Sequence, residues 1–245
     1  MRLSRVYVDA PLAAGDSTTL EGDAANHIAR VLRARVGDAL TLFDGRGGEY
    51  TARIAELRGA KVIAQVAEHL DVERESSLEI TLLQGIARGD RMDTIVQKAT
   101  ELGVTRIVPL TAERSVVKIS RDTAHRKHAH WRAVAIAACE QCGRNRLPEI
   151  AQPQTLADAV RAATLATQLR LMLAPGAATT LLSAASQAKS IALLIGPEGG
   201  LAPLEVEIAE RAGFAACSVG PRILRTETAS LAAVAALQAV AGDFA

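Results

Sequence analysis

The chain is poor in aromatic residues: Phe, Trp and Tyr together make up 2% of its 245 positions. That scarcity excludes recognition of single strands by stacking many bases on an aromatic sheet, as an RRM does. Cysteine is scarce as well, and three residues support no disulfide framework, which matches a reducing compartment. The opening stretch MRLSRVYVDAPLAAGD has no apolar run of signal-peptide type, and no window holds the roughly 18 uninterrupted apolar residues of a membrane helix. The expected location is the cytoplasm, without a membrane partner. Charge of one sign is also missing, since 28 Lys and Arg meet 27 Asp and Glu, for a net charge of +1. No global field points to a polyanion.

The balance hides a local excess. Residues 1 to 70 carry nine basic and nine acidic side chains, whereas residues 84 to 146 carry twelve basic against six acidic. This basic middle includes Arg88, Arg91, Lys98, Arg114, Lys118, Arg144 and Arg146. It is either a solvated face or a set of phosphate contacts.

Two rhythms divide the chain. In the first seventy residues, short period-two runs (RVYV, ALTLF, EYTARIAEL, KVIAQVAEH) alternate with turns, among them the glycine-rich FDGRGGEY, and predict strands. GDAANHIARVLR interrupts them as a helix with Ile28, Val31 and Leu32 on one face and Asp23 as its cap. The pattern predicts a compact β-barrel ending near DVERESS. After it, apolar strands (LEITLLQ, RIVPL, LRLML, SIALLIG, FAACSVG) alternate with helical segments, which predicts an α/β domain with a largely parallel sheet whose ligands bind beyond the strand carboxyl ends. The boundaries read as 1–72 and 73–245.

Two loops begin at such strand ends. Gly196-Pro197-Glu198-Gly199-Gly200 opens a helix but lacks the G-K-[ST] of a P-loop and the G-x-G-x-x-G of a dinucleotide fold. Its carboxylate would repel a polyphosphate, so the turn is either structural or built for a neutral or cationic ligand. The second loop, Gly220-Pro221-Arg222-Ile223-Leu224-Arg225-Thr226-Glu227-Thr228, places two arginines and a glutamate between a strand and an apolar helix. Charges there call for a partner or a task, although Thr226 or Glu227 could simply cap the helix. Cys139 and Cys142 form a lone C-x-x-C inside a helical pattern, and His125, His128 and His130 lack a completing carboxylate or cysteine spacing. No metal site is expected.

LLIGPEGGL followed by VGPRILRTETA closely resembles the SPOUT methyltransferases, specifically the RsmE family. HIARVLRARVGDALTLFDGRGGEY, GDRMDTIVQKATELGVTRIVPLTAERSVVK and AACEQCGRNRLPEI extend that resemblance over almost the whole chain, with Leu201 departing where an aromatic residue is frequent. The resemblance implies a PUA-like β-barrel followed by a trefoil-knotted α/β domain, working as a homodimer. It implies S-adenosylmethionine-dependent methylation of N3 of a uridine in the 16S rRNA of the small ribosomal subunit. A different SPOUT target, a ribose hydroxyl or a guanine, and a non-catalytic ribosome-assembly protein are the alternatives.

By the same resemblance, cofactor contacts fall to Leu173, Leu194, Ile195, Gly196, Gly199, Gly200, Val219, Gly220, Ile223, Leu224 and Thr228. Arg225 is the candidate for stabilising charge on the uracil, with Glu227 or Glu198 as base or as the group that orients an arginine. RNA contacts are expected from Arg5, His27, Arg30, Arg33, Arg88, Arg91, Lys98, Arg144, Arg146 and Arg222. Because most cofactor contacts are to backbone, Gly199→Val is the informative lesion. It is expected to abolish S-adenosylmethionine binding in isothermal titration while the protein stays folded by circular dichroism.

Overall fold

The computed structural model describes residues 4–31, 33–117, 120–185 and 188–244; Leu32 and Lys118, named above, lie outside the described residues. The chain divides into two compact units, Met1–Glu75 with Cys139–Leu147, and Ser76–Ala138 with Pro148–Ala245.

The first unit is built on β1 (Ser4–Tyr7), β2 (Ser17–Leu20), β3 (Ala39–Phe43), β4 (Glu49–Arg58) and β5 (Lys61–Leu70). They form one sheet in the order β1-β3-β4-β5-β2. β1 runs parallel to β3 and the other pairings are antiparallel. Alternate residues of β4 and β5, namely Ala52 and Ile54, then Val62, Ala64 and Val66, pack with Leu40, Leu42 and Ile28 into one core. Strand β2 was not legible in the sequence because STTL is polar and buries only Leu20. The small helix is also shorter than its pattern suggests. α1 (Gly22–Asn26) is capped by Glu21 without a side-chain bond, so Asp23 lies inside the helix, and a π-helical turn follows over His27–Val31.

The same unit takes in residues 139–147, which sequence continuity assigns to the second domain. A buried ionic network holds them. Arg5 pairs with Glu49 and donates to Oδ1 of Asn145 at 2.6 Å. Arg74 donates to the Gly143 carbonyl at 2.9 Å, and Arg144 Nε reaches the Glu75 carboxylate at 3.1 Å. The Tyr7 amide donates to Glu140 at 3.0 Å. The aromatic residues sit here as packing groups: Phe43 is fully buried under the Arg5 guanidinium, and the Tyr50 hydroxyl donates to the Leu12 carbonyl at 2.9 Å. Cys139 is buried, which pushes its thiol pKa up to about 12 and leaves it unreactive.

The second unit alternates β6 (Glu79–Gly85), α2 (Asp90–Glu101), β7 (Arg106–Thr111), α3 (Arg121–Cys142), β8 (Glu149–Ile150), β9 (Gln154–Thr155), α4 (Leu156–Ala166), β10 (Leu169–Leu173), α5 (Leu181–Ala184), β11 (Ser190–Ile195), α6 (Pro203–Arg211), β12 (Ala215–Cys217) and α7 (Thr226–Ala241). The sheet order is β12-β10-β11-β6-β7-β8, with β9 also on β7, and every pairing is parallel. Its strands are apolar on both faces. Ile191, Leu193 and Ile195 pack toward α2, α3 and α7, while Ala192 and Leu194 pack toward α4 and α6. Helices covering both faces leave the strand carboxyl ends as the open rim of the sheet.

Burial pushes the Glu49 carboxyl up, but hydrogen bonds and charge from Arg5 and Arg74 outweigh it and hold it below the usual carboxylate range. A carboxylate with a lowered folded-state pKa contributes stability that is complete above its unfolded pKa and is lost as pH falls through the folded value. Glu49→Gln is therefore expected to cost about 3 kcal/mol near neutral pH, through the buried Arg5 it leaves uncompensated. The gap to the unmutated protein should close in acid, as urea denaturation across a pH series would measure.

Candidate active site

A cavity of about 670 Å³ opens at the carboxyl ends of β10, β11 and β12. Three chain segments form most of its wall. Met172 to Pro175 run off the end of β10, Ile195 to Leu201 off the end of β11, and Cys217 to Thr226 lead from β12 into α7, with Arg91, Val206 and Ala229 adding to it. Both loops need glycine where the backbone turns left-handed, at Gly200 (φ +69) and Gly220 (φ +72). Gly85 and Gly199 are small for a different reason, close approach. A Cβ on Gly85 would lie 2.3 Å from the Pro197 nitrogen, and one on Gly199 would lie 2.9 Å from the Arg114 carbonyl oxygen.

A buried polar relay joins the two loops. Gln84, fully buried at the end of an apolar strand, donates to the Gly85 carbonyl at 2.9 Å and to the Thr226 hydroxyl at 3.0 Å. Thr226 in turn donates to the Gly196 carbonyl at 2.8 Å, and Ser230 closes the relay by donating to the Gln84 carbonyl oxygen. Thr226 is therefore the link between loops, and the helix cap is Arg225.

Of the residues expected at the cofactor, Leu173, Ile195, Gly196, Gly199, Gly200, Val219, Gly220, Ile223 and Leu224 line the cavity. Leu194 and Thr228 do not. Leu194 follows the strand pleat to the α4 and α6 face, and Thr228 stands exposed on α7. Met172, Pro175, Ser218 and Ala229 also line the wall without any mark in the sequence pattern, and Thr226, a capping candidate by sequence, lines it as well. Leu201 lines it too, so its departure from an aromatic residue reaches the binding surface.

The charged residues sort by partner. Arg91 donates to Glu198 at 2.9 Å and lies 3.7 Å from Glu227, so it belongs to the site itself. Glu198 also accepts from the Arg88 amide at 2.9 Å. Burial raises its pKa, but these donors outweigh that effect and hold it below the ordinary carboxylate range, which makes it a poor proton acceptor. Glu227 keeps one oxygen, Oε2, buried without a hydrogen-bond partner. Arg222 and Arg225 line the cavity with no carboxylate partner among the described residues.

Two expected RNA contacts are displaced by the structure. Arg5 and Arg144 have side chains only 8% and 5% exposed and are held by Glu49 and Glu75, so neither guanidinium is free for a phosphate. Lys98 is paired with Glu101 on its own helix and Arg146 with Glu73. His27, Arg30, Arg33 and Arg88 are exposed. Among the histidines, His128 bonds the Ile150 carbonyl at 2.8 Å and His130 pairs with Asp93 at 2.7 Å. Among the described residues, no group of three His, Cys, Asp or Glu is arranged to hold a metal ion.

An apolar cavity of nucleoside size, with glycine loops and the Glu198 carboxylate in its wall, suits a ligand without phosphate. Comparison with known proteins agrees. The family model described as an RNA methyltransferase domain matches residues 74–238, and one described as an RNA methyltransferase PUA domain matches residues 20–66. The chain belongs to the RsmE family of RNA methyltransferases. Ribosomal RNA small subunit methyltransferase E of Buchnera aphidicola is 33% identical, with 99% of this chain and 98% of that protein covered. A methyltransferase from Legionella pneumophila, solved with bound S-adenosylmethionine, superposes with TM-score 0.95 at 41% identity over the full length of both chains. The ribosomal RNA small subunit methyltransferase E of Neisseria gonorrhoeae, also bound to S-adenosylmethionine, gives TM-score 0.90 at 37% identity with both chains fully covered.

The relay predicts the effect of a single hydroxyl. Thr226→Val removes it at nearly constant volume and leaves the Gln84 amide and the Gly196 carbonyl unsatisfied. S-adenosylmethionine affinity is expected to fall about 10-fold by isothermal titration, with Thr226→Ser restoring most of it.

Proposed function

We propose that this chain is an S-adenosylmethionine-dependent methyltransferase acting on uracil N3 in 16S rRNA of the small ribosomal subunit, at uridine 1498. The observation that carries the reading is the cavity between the GPEGG loop and the PRILRTE loop, with two arginines on its wall that have no carboxylate partner among the described residues. The cavity fits the cofactor. Apolar Met172, Leu173, Ile195 and Leu224 offer surface to an adenine, the glycine loops offer backbone amides, and the Glu198 carboxylate favours a cation over a phosphate.

When bound, S-adenosylmethionine supplies an activated methyl group. The chain's own residues hold the uracil and move its proton. The N3 lone pair forms the new bond to the methyl carbon as the carbon–sulfur bond breaks and its electron pair stays on sulfur, giving a neutral thioether. The imide proton passes to the Glu227 carboxylate. Arg225 faces the negative charge that spreads onto the flanking carbonyl oxygens, and Arg222, with His27, Arg30, Arg33 and Arg88, contacts RNA phosphates.

Residues 1–72, with residues 139–147 packed on them, form a PUA-like β-barrel for RNA recognition in this reading, and the rest of residues 73–245 form the trefoil-knotted SPOUT domain. The protein works in the cytoplasm as a homodimer. Ile223, 86% exposed at the cavity wall, favours a second copy covering that side.

Small subunits lacking the modification, incubated with the protein and S-adenosylmethionine, are expected to yield 3-methyluridine at one site by nucleoside mass spectrometry. A different methylated nucleoside would overturn the target, and no methylation would overturn the activity. Arg225→Ala is expected to lower the single-turnover rate about 100-fold while cofactor affinity stays within a few-fold.

A further inference from the structure

We propose that Glu205 is a positioning residue for the cofactor: it ties the end of the GPEGG loop to the turn after β7 and so fixes the cavity wall from outside it. This rests on the reading of the cavity as the S-adenosylmethionine site. Glu205 itself does not line the cavity, yet both of its carboxylate oxygens are engaged. Oε2 accepts from the amide of Ala202, the residue that caps α6, at 2.8 Å. An alanine side chain cannot accept a hydrogen bond, so this contact is the helix's own cap from within its first turn. Oε1 accepts from the Glu113 amide, also at 2.8 Å and 92 positions away in the chain. Capping the helix needs only the first of these bonds.

The second bond reaches the support of the cofactor loop. Residues 112–115 close a β-turn, with the Ser115 amide donating to the Ala112 carbonyl at 3.0 Å and the Ala112 amide to the Ser115 hydroxyl at 3.1 Å. That turn lies directly against Gly199, since a Cβ there would stand 2.9 Å from both the Cβ and the carbonyl oxygen of Arg114. Gly199, Gly200 and Leu201 in turn line the cavity. The other anchor of the loop is Glu198, which accepts from the Arg88 amide and from Arg91. Carboxylates before and after the glycines thus hold the loop to the segments that follow β6 and β7. With one anchor gone, Gly199 to Leu201 gain freedom that a ligand must remove on binding, which weakens the ligand without altering the chemistry. In the sequence Glu205 is one more acidic residue in the first turn of a helix.

The test is isothermal titration of S-adenosylmethionine beside single-turnover methylation of unmodified small subunits. Glu205→Gln keeps one acceptor oxygen for two amides, and is expected to weaken S-adenosylmethionine about 5-fold. Glu113→Pro deletes the distant donor at the second position of its turn, where proline is favoured, and is expected to have the same effect. The double variant should be no weaker than either single one, because both changes remove the same bond and the remaining oxygen serves Ala202. At saturating cofactor the single-turnover rate should stay within about 2-fold and the half-saturating subunit concentration should not move. Glu207→Gln, which removes an exposed carboxylate from the same helix, should leave the affinity unchanged. If Glu205→Gln and Glu113→Pro lower the melting temperature but bind S-adenosylmethionine as tightly as the unmutated protein, Glu205 is a helix cap alone and the proposal falls. It falls equally if the two effects multiply in the double variant. Glu113→Pro by itself decides the matter if Glu205→Gln fails to fold. Absence of S-adenosylmethionine binding by the unmutated protein would instead sink the reading of the cavity.

Discussion

The hydrogen bonds of one buried amide hold the site together. Gln84 ends a strand whose other inward residues are apolar, and its amide can be satisfied only by groups that the tertiary structure brings to it. Those groups come from the strand end itself, from the start of α7 and, through Thr226, from the GPEGG loop. Because Gln84, Thr226 and Ser230 are buried, a shift of either loop leaves one of their donors or acceptors without water or partner. The cavity is thereby pre-organised before any ligand arrives.

Around this relay, the arginines are sorted by what neutralises them. Those with carboxylates beside them hold parts of the chain together: Arg5 and Arg144 tie residues 139–147 to the sheet of the first unit, and Arg91 ties the GPEGG loop to α2. Those without a carboxylate partner among the described residues, Arg222 and Arg225, line the cavity. Desolvation explains the sorting, since a buried cation must be paired while a partly exposed one can wait for its ligand. Local charge excess alone does not separate the two groups, since Arg91 and Arg144 sit in the same basic stretch as exposed Arg88.

Strand pleat makes a similar distinction within the cofactor wall. LLI at the end of β11 reads as three equivalent apolar residues, yet alternation sends Leu194 to one helical layer and leaves Ile195 at the cavity. Met172 and Ser218 were harder, because nothing in their type or spacing marks them until β10 and β12 are seen side by side.

The sequence by itself determined the two rhythms, the parallel α/β sheet, the two glycine-bearing loops at strand ends and, through their paired motifs, the family. These are local patterns: strand and helix periods, turn chemistry and contiguous motifs repeat within a few residues and need no knowledge of distant contacts. Only the tertiary structure decided that residues 139–147 pack with the first seventy-five, that Thr226 links two loops in place of capping a helix, and that Arg91 stands between Glu198 and Glu227. Each of those depends on groups more than twenty residues apart meeting where water is largely excluded, and partner choice under desolvation is set by the fold as a whole.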